Sequence, residues 1–229
     1  TARPVAHRAR DAARRLATVV DVPASVIERA GDDLVITAFE QPKGGAISAS
    51  PYERIPYTAP FGVAFAAWDT PDAQRDWVQR AAADDAALTR QLNDVLTETR
   101  ERGYDVDWMT PALAQAAQAI GSLSEHALPV NMRSIIDQLR LEFTSAALTT
   151  DTNTRAPRPV ATISAPVLDN GGRIQLVLGL HPVRPMTMSD IRSVARPLLR
   201  EIAQLSDNGQ AQRVTHRTAH GVRSSAPSR

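Results

Sequence analysis

Apolar positions along the chain switch between helical and strand periods, and the switches predict the order of elements. From about Val5 to Val20, residues Ala9, Ala12, Ala13, Leu16, Ala17 and Val20 fall on one helical face with arginines opposite, and Pro23 ends the helix. Two short β-like runs follow, Ser25–Arg29 and Leu34–Phe39, joined by the turn Ala30-Gly31-Asp32-Asp33. Residues 41–54 are rich in Gly, Ser and Pro and read as loop, and Pro60 to Trp68 reads as a short buried helix.

Thr70-Pro71 is a cap followed by proline at the first helical position, and Leu88, Leu92, Val95, Leu96 and Thr99 continue a helical face. Arg100 and Arg102 suit the negative end of that helix, and Gly103 supplies its left-handed stop. Tyr104–Trp108 reads as a strand. Two helices are expected next, one from Thr110-Pro111 to Gly121 and one from about Asn131 to Leu148, with Thr149–Arg158 as a polar linker.

The clearest β signal is the pair Val160–Leu168 and Arg173–Leu180, joined by Asp169-Asn170-Gly171-Gly172, a sequence suited to a primed turn. A last helix starts near Thr187 and carries Ile191, Val194, Leu198, Leu199, Ile202 and Leu205, with a kink or break expected at Pro197. From Asp207 the periodicity stops, which predicts a disordered basic tail over 207–229. This order is no βαβ repeat. It predicts an α+β domain over residues 1–206, an antiparallel sheet flanked by helices with a helical insertion at about 109–158.

Composition narrows the functional classes. The 229 residues carry a formal net charge of +1, so charge does not mark the chain as a nucleic-acid binder. Cysteine is absent, which removes disulfides, thiolate metal sites and thiol nucleophiles. No apolar run has the length of a membrane span, and the arginine-rich start lacks the apolar core of a signal peptide. A cytoplasmic location is expected.

Three stretches together resemble the effector-binding domain of IclR-type transcription regulators. The first runs from Arg54-Ile55-Pro56-Tyr57 through Phe61-Gly62 to Trp68, and the second is Leu96–Asp107 with its Arg100-Glu101-Arg102-Gly103-Tyr104 ending. The third is the hairpin Ile163-Ser164-Ala165-Pro166-Val167-Leu168-Asp169-Asn170-Gly171-Gly172-Arg173. The resemblance covers roughly residues 5–206 and implies a GAF-like fold, a small-molecule effector, assembly as a homodimer or homotetramer, and no cofactor. It implies contact with DNA only through a reader domain not contained in this chain. Ala13–Ala30 superficially resembles a helix-turn-helix, but Val26 and Ile27 run straight into the hairpin. The stretch from Trp108 to Pro159 is longer than the family's usual loop and is similar to an actinobacterial branch with extra helices there.

The resemblance also implies a ligand site between the sheet and the segment Ile55–Phe65, with contacts at Ile55, Phe61, Asp107, Thr162, Leu178 and Leu180, and the clustered aromatics Tyr57, Phe61, Phe65 and Trp68 read as lining the same cavity. Leu178 and Leu180 stand where some members place serines that bond a carboxylate. Their lack of donors predicts a largely apolar effector. The alternative is a filled core and a non-sensing oligomerisation or interaction module of the same fold.

Other candidates are weaker. His216 and His220 have the spacing of a metal pair but lack the Glu of the metalloprotease motif, and the solvated tail is the default. His181 reads as a loop-capping histidine. A hydrolase would draw on Ser164, His181 and Asp169, and no nucleophile motif accompanies them. No catalytic residue and no metal site is expected, and the missing thiol excludes GAF-like sulfoxide reductases.

Overall fold

The computed structural model describes residues 3–43, 54–108 and 156–221, with side chains from Val5 to Ser206 within those ranges. The helical insertion and most of the loop over 41–54 lie outside the described residues.

The chain opens with α1 (Arg3–Val20), then the hairpin β1 (Ala24–Ala30) and β2 (Asp33–Glu40) and a short β3 (Arg54–Pro56). Helices α2 (Val63–Ala66), α3 (Pro71–Ala82) and α4 (Ala86–Arg102) lead to β4 (Asp105–Trp108). The second hairpin is β5 (Arg158–Leu168) and β6 (Ile174–Leu180), followed by β7 (Arg184–Met186) and α5 (Met188–Gly221). The strands form one antiparallel sheet in the order β3-β2-β1-β6-β5-β4, with β7 paired to the start of β5. The expected α+β architecture is present.

Each face of the sheet carries its own core. α1 packs on β1, β2 and β6 beside α5, and α5 packs on β5. The contact surface of α1 is nearly all alanine: Ala9, Ala12, Ala13 and Ala17 have no exposed area. Small side chains let the helix approach the strands closely, since side-chain size at the contact sets interaxial distance. Val26, Ala165, Leu176, Leu178, Leu180, Ile191 and Leu198 complete this core. On the opposite face, α2, α3 and α4 bring Phe65, Trp77, Val78, Leu92 and Leu96 together with Leu34, Tyr57 and Val177.

Local chemistry explains most boundaries. The single helical face expected from Thr70 to Thr99 is two helices. α3 stops at Ala82, where Ala83 turns to φ 43°, and Asp85 caps α4 by accepting from the amides of Ala87 and Leu88 at 2.8 and 2.9 Å. Gly103, at φ 85°, ends α4 as predicted.

The expected primed turn after β5 is instead a clasp around one carboxylate. Asp169 accepts from the amides of Gly171 and Arg173 and pairs with the Arg173 guanidinium at 3.0 Å. Those bonds hold its carboxyl below the usual range. Thr187 and Asp190 cap α5 reciprocally.

The break expected at Pro197 does not occur. Pro197 lies inside the helix without ending it, because Ile191, Val194, Ala195 and Leu198 are buried on either side and packing outweighs one lost hydrogen bond. The backbone stays helical to Gly221, past the point where apolar periodicity ends. Helical hydrogen bonds are internal to the segment, so the pattern marks the packed length of a helix and not its full length.

Candidate functional site

Antiparallel registration puts opposite residues on the same side of the sheet, which allows each predicted site residue to be placed. Val26, Leu178 and Ala165 face one another across β1, β6 and β5, as do Ala24, Leu180 and Ile163. All six belong to the core under α1 and α5, and neither Leu178 nor Leu180 has exposed area. The wall predicted from these two leucines is therefore absent from the α2 side. They point away from the Ile55–Phe65 segment, and the argument for an apolar effector loses its basis.

The alternate residues of the same strands face α2, α3 and α4, and several of them are polar. One row across the sheet reads Asp105, Ser164, Gly179, Ser25, Phe39, each registered on the next. Beside it, Asp107 is registered on Thr162. His181, one residue beyond β6, is anchored by its amide to the Pro23 carbonyl at 2.8 Å. Its ring joins the rows: Nε2 lies 2.8 Å from Ser25 Oγ, and Nδ1 lies 3.4 Å from Thr162 Oγ1. The Phe39 ring sits 5.3 Å from the imidazole, centroid to centroid.

Gly179 is what lets these groups converge. A Cβ there would lie 2.8 Å from Ser25 Oγ and 3.5 Å from His181 Nε2. A side chain at 179 would have to displace the Ser25 hydroxyl from His181.

The electrostatics of this patch are unusual for a sheet interior. Desolvation pushes the Asp105 carboxyl up to about 6, against the opposing pull of Arg102, the Val106 amide and Thr99. Thr99 of α4 reaches Asp105 Oδ1 at 3.4 Å. Asp107 rises well above the ordinary carboxylate range, first through desolvation and then through repulsion by Asp105. Desolvation lowers His181 to about 4, so its imidazole is neutral at pH 7. Ser25, Ser164 and Asp105 are buried, while Phe39, Asp107, Thr162 and His181 are half-buried.

The remaining predicted residues lie near this patch in a different role. Ile55 packs against the core of the α2–α4 face. Tyr57 is held there between Arg29, 4.1 Å above its ring, and Arg80, while Phe65 meets its edge at 6.3 Å. Burial pushes the Tyr57 phenol up to about 12, with Arg29 opposing and Asp69 adding. Phe61 is half-buried, and its carbonyl accepts from Trp77 Nε1 at 3.2 Å. α2, which carries Phe65, packs over β5 and β6.

Of the predicted residues, Asp107 and Thr162 stand in the patch. Ser25, His181, Ser164, Asp105 and Phe39 are its further members. The alternation Leu178-Gly179-Leu180-His181 carried the signal for His181 once the leucines were assigned to the opposite core. Asp169 is committed to its turn, so Ser164, His181 and Asp169 do not form a catalytic set. His216 and His220 lie where side chains are not described. Among the described residues no three His, Cys, Asp or Glu side chains are grouped to hold a metal ion, and no helix is long and apolar enough to cross a membrane.

No protein-family model matches the sequence, and no curated protein matches it. Solved structures do. An IclR transcriptional regulator from Alicyclobacillus acidocaldarius superposes with a TM-score of 0.57 at 17% identity, over 90% of this chain and 68% of its own. The IclR of Thermotoga maritima gives 0.54 at 13% identity, over 91% and 68%. A putative IclR-family regulator solved as an isolated domain gives 0.57 at 13% identity, over 89% of this chain and 95% of that one. The fold is therefore the GAF-like one found in the C-terminal domain of those regulators.

Proposed function

We propose that this chain is the effector-binding regulatory domain of an IclR-type transcription regulator, and that its effector docks on the polar patch around Thr162, His181 and Asp107. The observation that carries this reading is the patch itself. An acidic pair on the edge strand β4 and a neutral histidine at the end of β6 stand on the sheet face opposite the apolar core of α1 and α5, an arrangement that costs stability and is typical of functional sites. Perturbed groups in half-buried positions offer a ligand both donors and acceptors. Fold likeness to transcription regulators, and not to enzymes, supports a sensing role over a catalytic one.

The route outward is short. α1 and α5 pack on the back of the strands that carry the patch, and Arg15 of α1 is paired with Glu201 of α5 at 2.7 Å. A ligand that prefers one arrangement of β5 and β6 biases both helices, and through them a reader domain or a second copy of the chain. Differential affinity for the two arrangements is the requirement.

A thermal-shift screen with anionic, neutral and cationic metabolites tests this reading. At least one compound raises the melting temperature of the native chain and fails to do so with Thr162→Val. If no compound raises it, the sensing role is lost and the chain is an interaction module of the same fold.

A further inference from the structure

The hydroxyls on either side of His181 are not equivalent, and the difference sets which way their hydrogens point. Ser25 has no exposed area, and its Oγ lies 2.8 Å from His181 Nε2, the one hydrogen bond its side chain makes among the described residues. Thr162 is half-buried, and its Oγ1 stands 3.4 Å from Nδ1. A neutral imidazole carries one hydrogen on its two nitrogens, so the ring donates on one side and accepts on the other.

Burial decides between the two tautomers. With the hydrogen on Nε2, the ring donates to Ser25, and the serine's own hydrogen is sealed in the sheet with no acceptor among the described residues. With the hydrogen on Nδ1, Ser25 gives its only hydrogen to the Nε2 lone pair and the buried donor is satisfied. What then goes unused is a lone pair on a hydroxyl oxygen, a smaller penalty than an orphaned buried donor. The ring is held to this choice. The His181 amide donates to the Pro23 carbonyl at 2.8 Å, the Phe39 ring lies 5.3 Å from the imidazole, and the missing Cβ at Gly179 leaves room for the Ser25 hydroxyl.

We infer that Ser25 is a positioning residue: it holds His181 as the Nδ1–H tautomer, Nδ1–H points at Thr162 Oγ1, and the Thr162 hydroxyl hydrogen is turned away from the ring as a free donor. A ligand then meets Thr162 with an acceptor atom, an oxygen or nitrogen lone pair. The ligand's part rests on the reading of the patch as the effector site, and the tautomer does not. Ser25 itself touches no ligand. Its spacing to His181 is that of a nucleophile and its base, but a serine with no exposed area offers its oxygen to no substrate.

Long-range proton–nitrogen correlation spectra of the full chain, with labelled histidine and His181 assigned through His181→Asn, read the tautomer. At pH 7 the native chain is expected to show a protonated Nδ1 and an unprotonated Nε2. Thr162→Val keeps that pattern, and Ser25→Ala converts it to a mixture or to Nε2–H, which a merely structural Ser25 would not do. A native ring protonated on Nε2 or on both nitrogens, or a tautomer unchanged in Ser25→Ala, overturns the assignment. Should Ser25→Ala fail to fold, the native spectrum alone still decides.

Two neutral bicyclic probes extend the test to the ligand: quinoline, an acceptor without a donor, and indole, a donor without an acceptor. Titrated calorimetrically into the native chain, quinoline is expected to bind about ten-fold tighter, a preference that Thr162→Val abolishes. Indole binding as tightly, a preference that survives Thr162→Val, or no binding of either overturns the free donor at Thr162. A response to another compound in the wider screen then leaves the sensing role standing, and silence across the whole screen ends that role too.

Discussion

The two faces of the sheet are built from alternate residues of the same strands, yet one is sealed and the other is held at a cost. Under α1 and α5, strand residues such as Val26, Ala165, Leu178 and Leu180 meet alanine and leucine, and burial of those side chains favours the folded state. Under α2–α4, the same strands present Ser25, Thr162, Ser164 and Gly179, and β4 adds Asp105 and Asp107. The first face can be understood from packing alone. The second combines its own apolar core with polar groups whose burial packing alone does not favour.

The largest expected difference between the faces comes from Leu178. Leu178→Ala leaves a cavity in the sealed core and is expected to destabilise the chain by about 2–5 kcal/mol in urea unfolding, without changing which ligands register. A change in ligand preference greater than the loss of stability would place this side chain in the site.

Gly179→Ala tests the gap on the other face. The new methyl meets Ser25 Oγ, and a cost of about 1–3 kcal/mol is expected. The double variant Ser25→Ala/Gly179→Ala should recover part of that loss, a coupling that a double-mutant cycle measures directly. Simple additivity would mean that the two groups do not compete for space.

The pH dependence has two opposed parts. Asp105 is raised to about 6, so the stability it favours is present below the unfolded carboxylate value of about 3.9 and is lost as pH rises through 6; Asp107 is raised too, with the same sign. His181 is lowered to about 4, so its contribution is present above the unfolded value of about 6.5 and is lost as pH falls toward 4. Between pH 4 and 6 the two trends oppose each other. Asp107→Asn should therefore leave a melting curve dominated by His181 and Asp105, with higher stability at pH 7 than the native chain. An unchanged pH profile would contradict the assignment.

The smallest effect is local. Asp85→Ala removes the cap of α4 and is expected to cost about 1 kcal/mol, with ligand response intact.

Much of the architecture was legible in the sequence because it is written in local chemistry. The Gly31 turn, the Asp169 hairpin and the Gly103 stop each depend on a few adjacent residues, and the sheet order follows from two hairpins and their neighbours. The site was legible only in part. A period of two tells which residues share a face, but not which helices cover it, and here both faces are covered. Leu178 and Leu180 therefore read equally well as ligand wall or as core.

Irregularities after Val26, Val167 and Asp107 also shift the phase of three strands, and no residue type announces them. Ser25 and His181, 156 positions apart, meet only through the β1–β6 pairing.

A sensing role on the α2 side requires the ligand to touch that face of the sheet and not the sealed core. Nuclear Overhauser contacts from a bound screening hit to side-chain methyl groups report this directly. The prediction is contact with the Thr162 methyl and the Phe39 and His181 rings, and none with the methyls of Leu178 or Leu180. Contact with either leucine would contradict it.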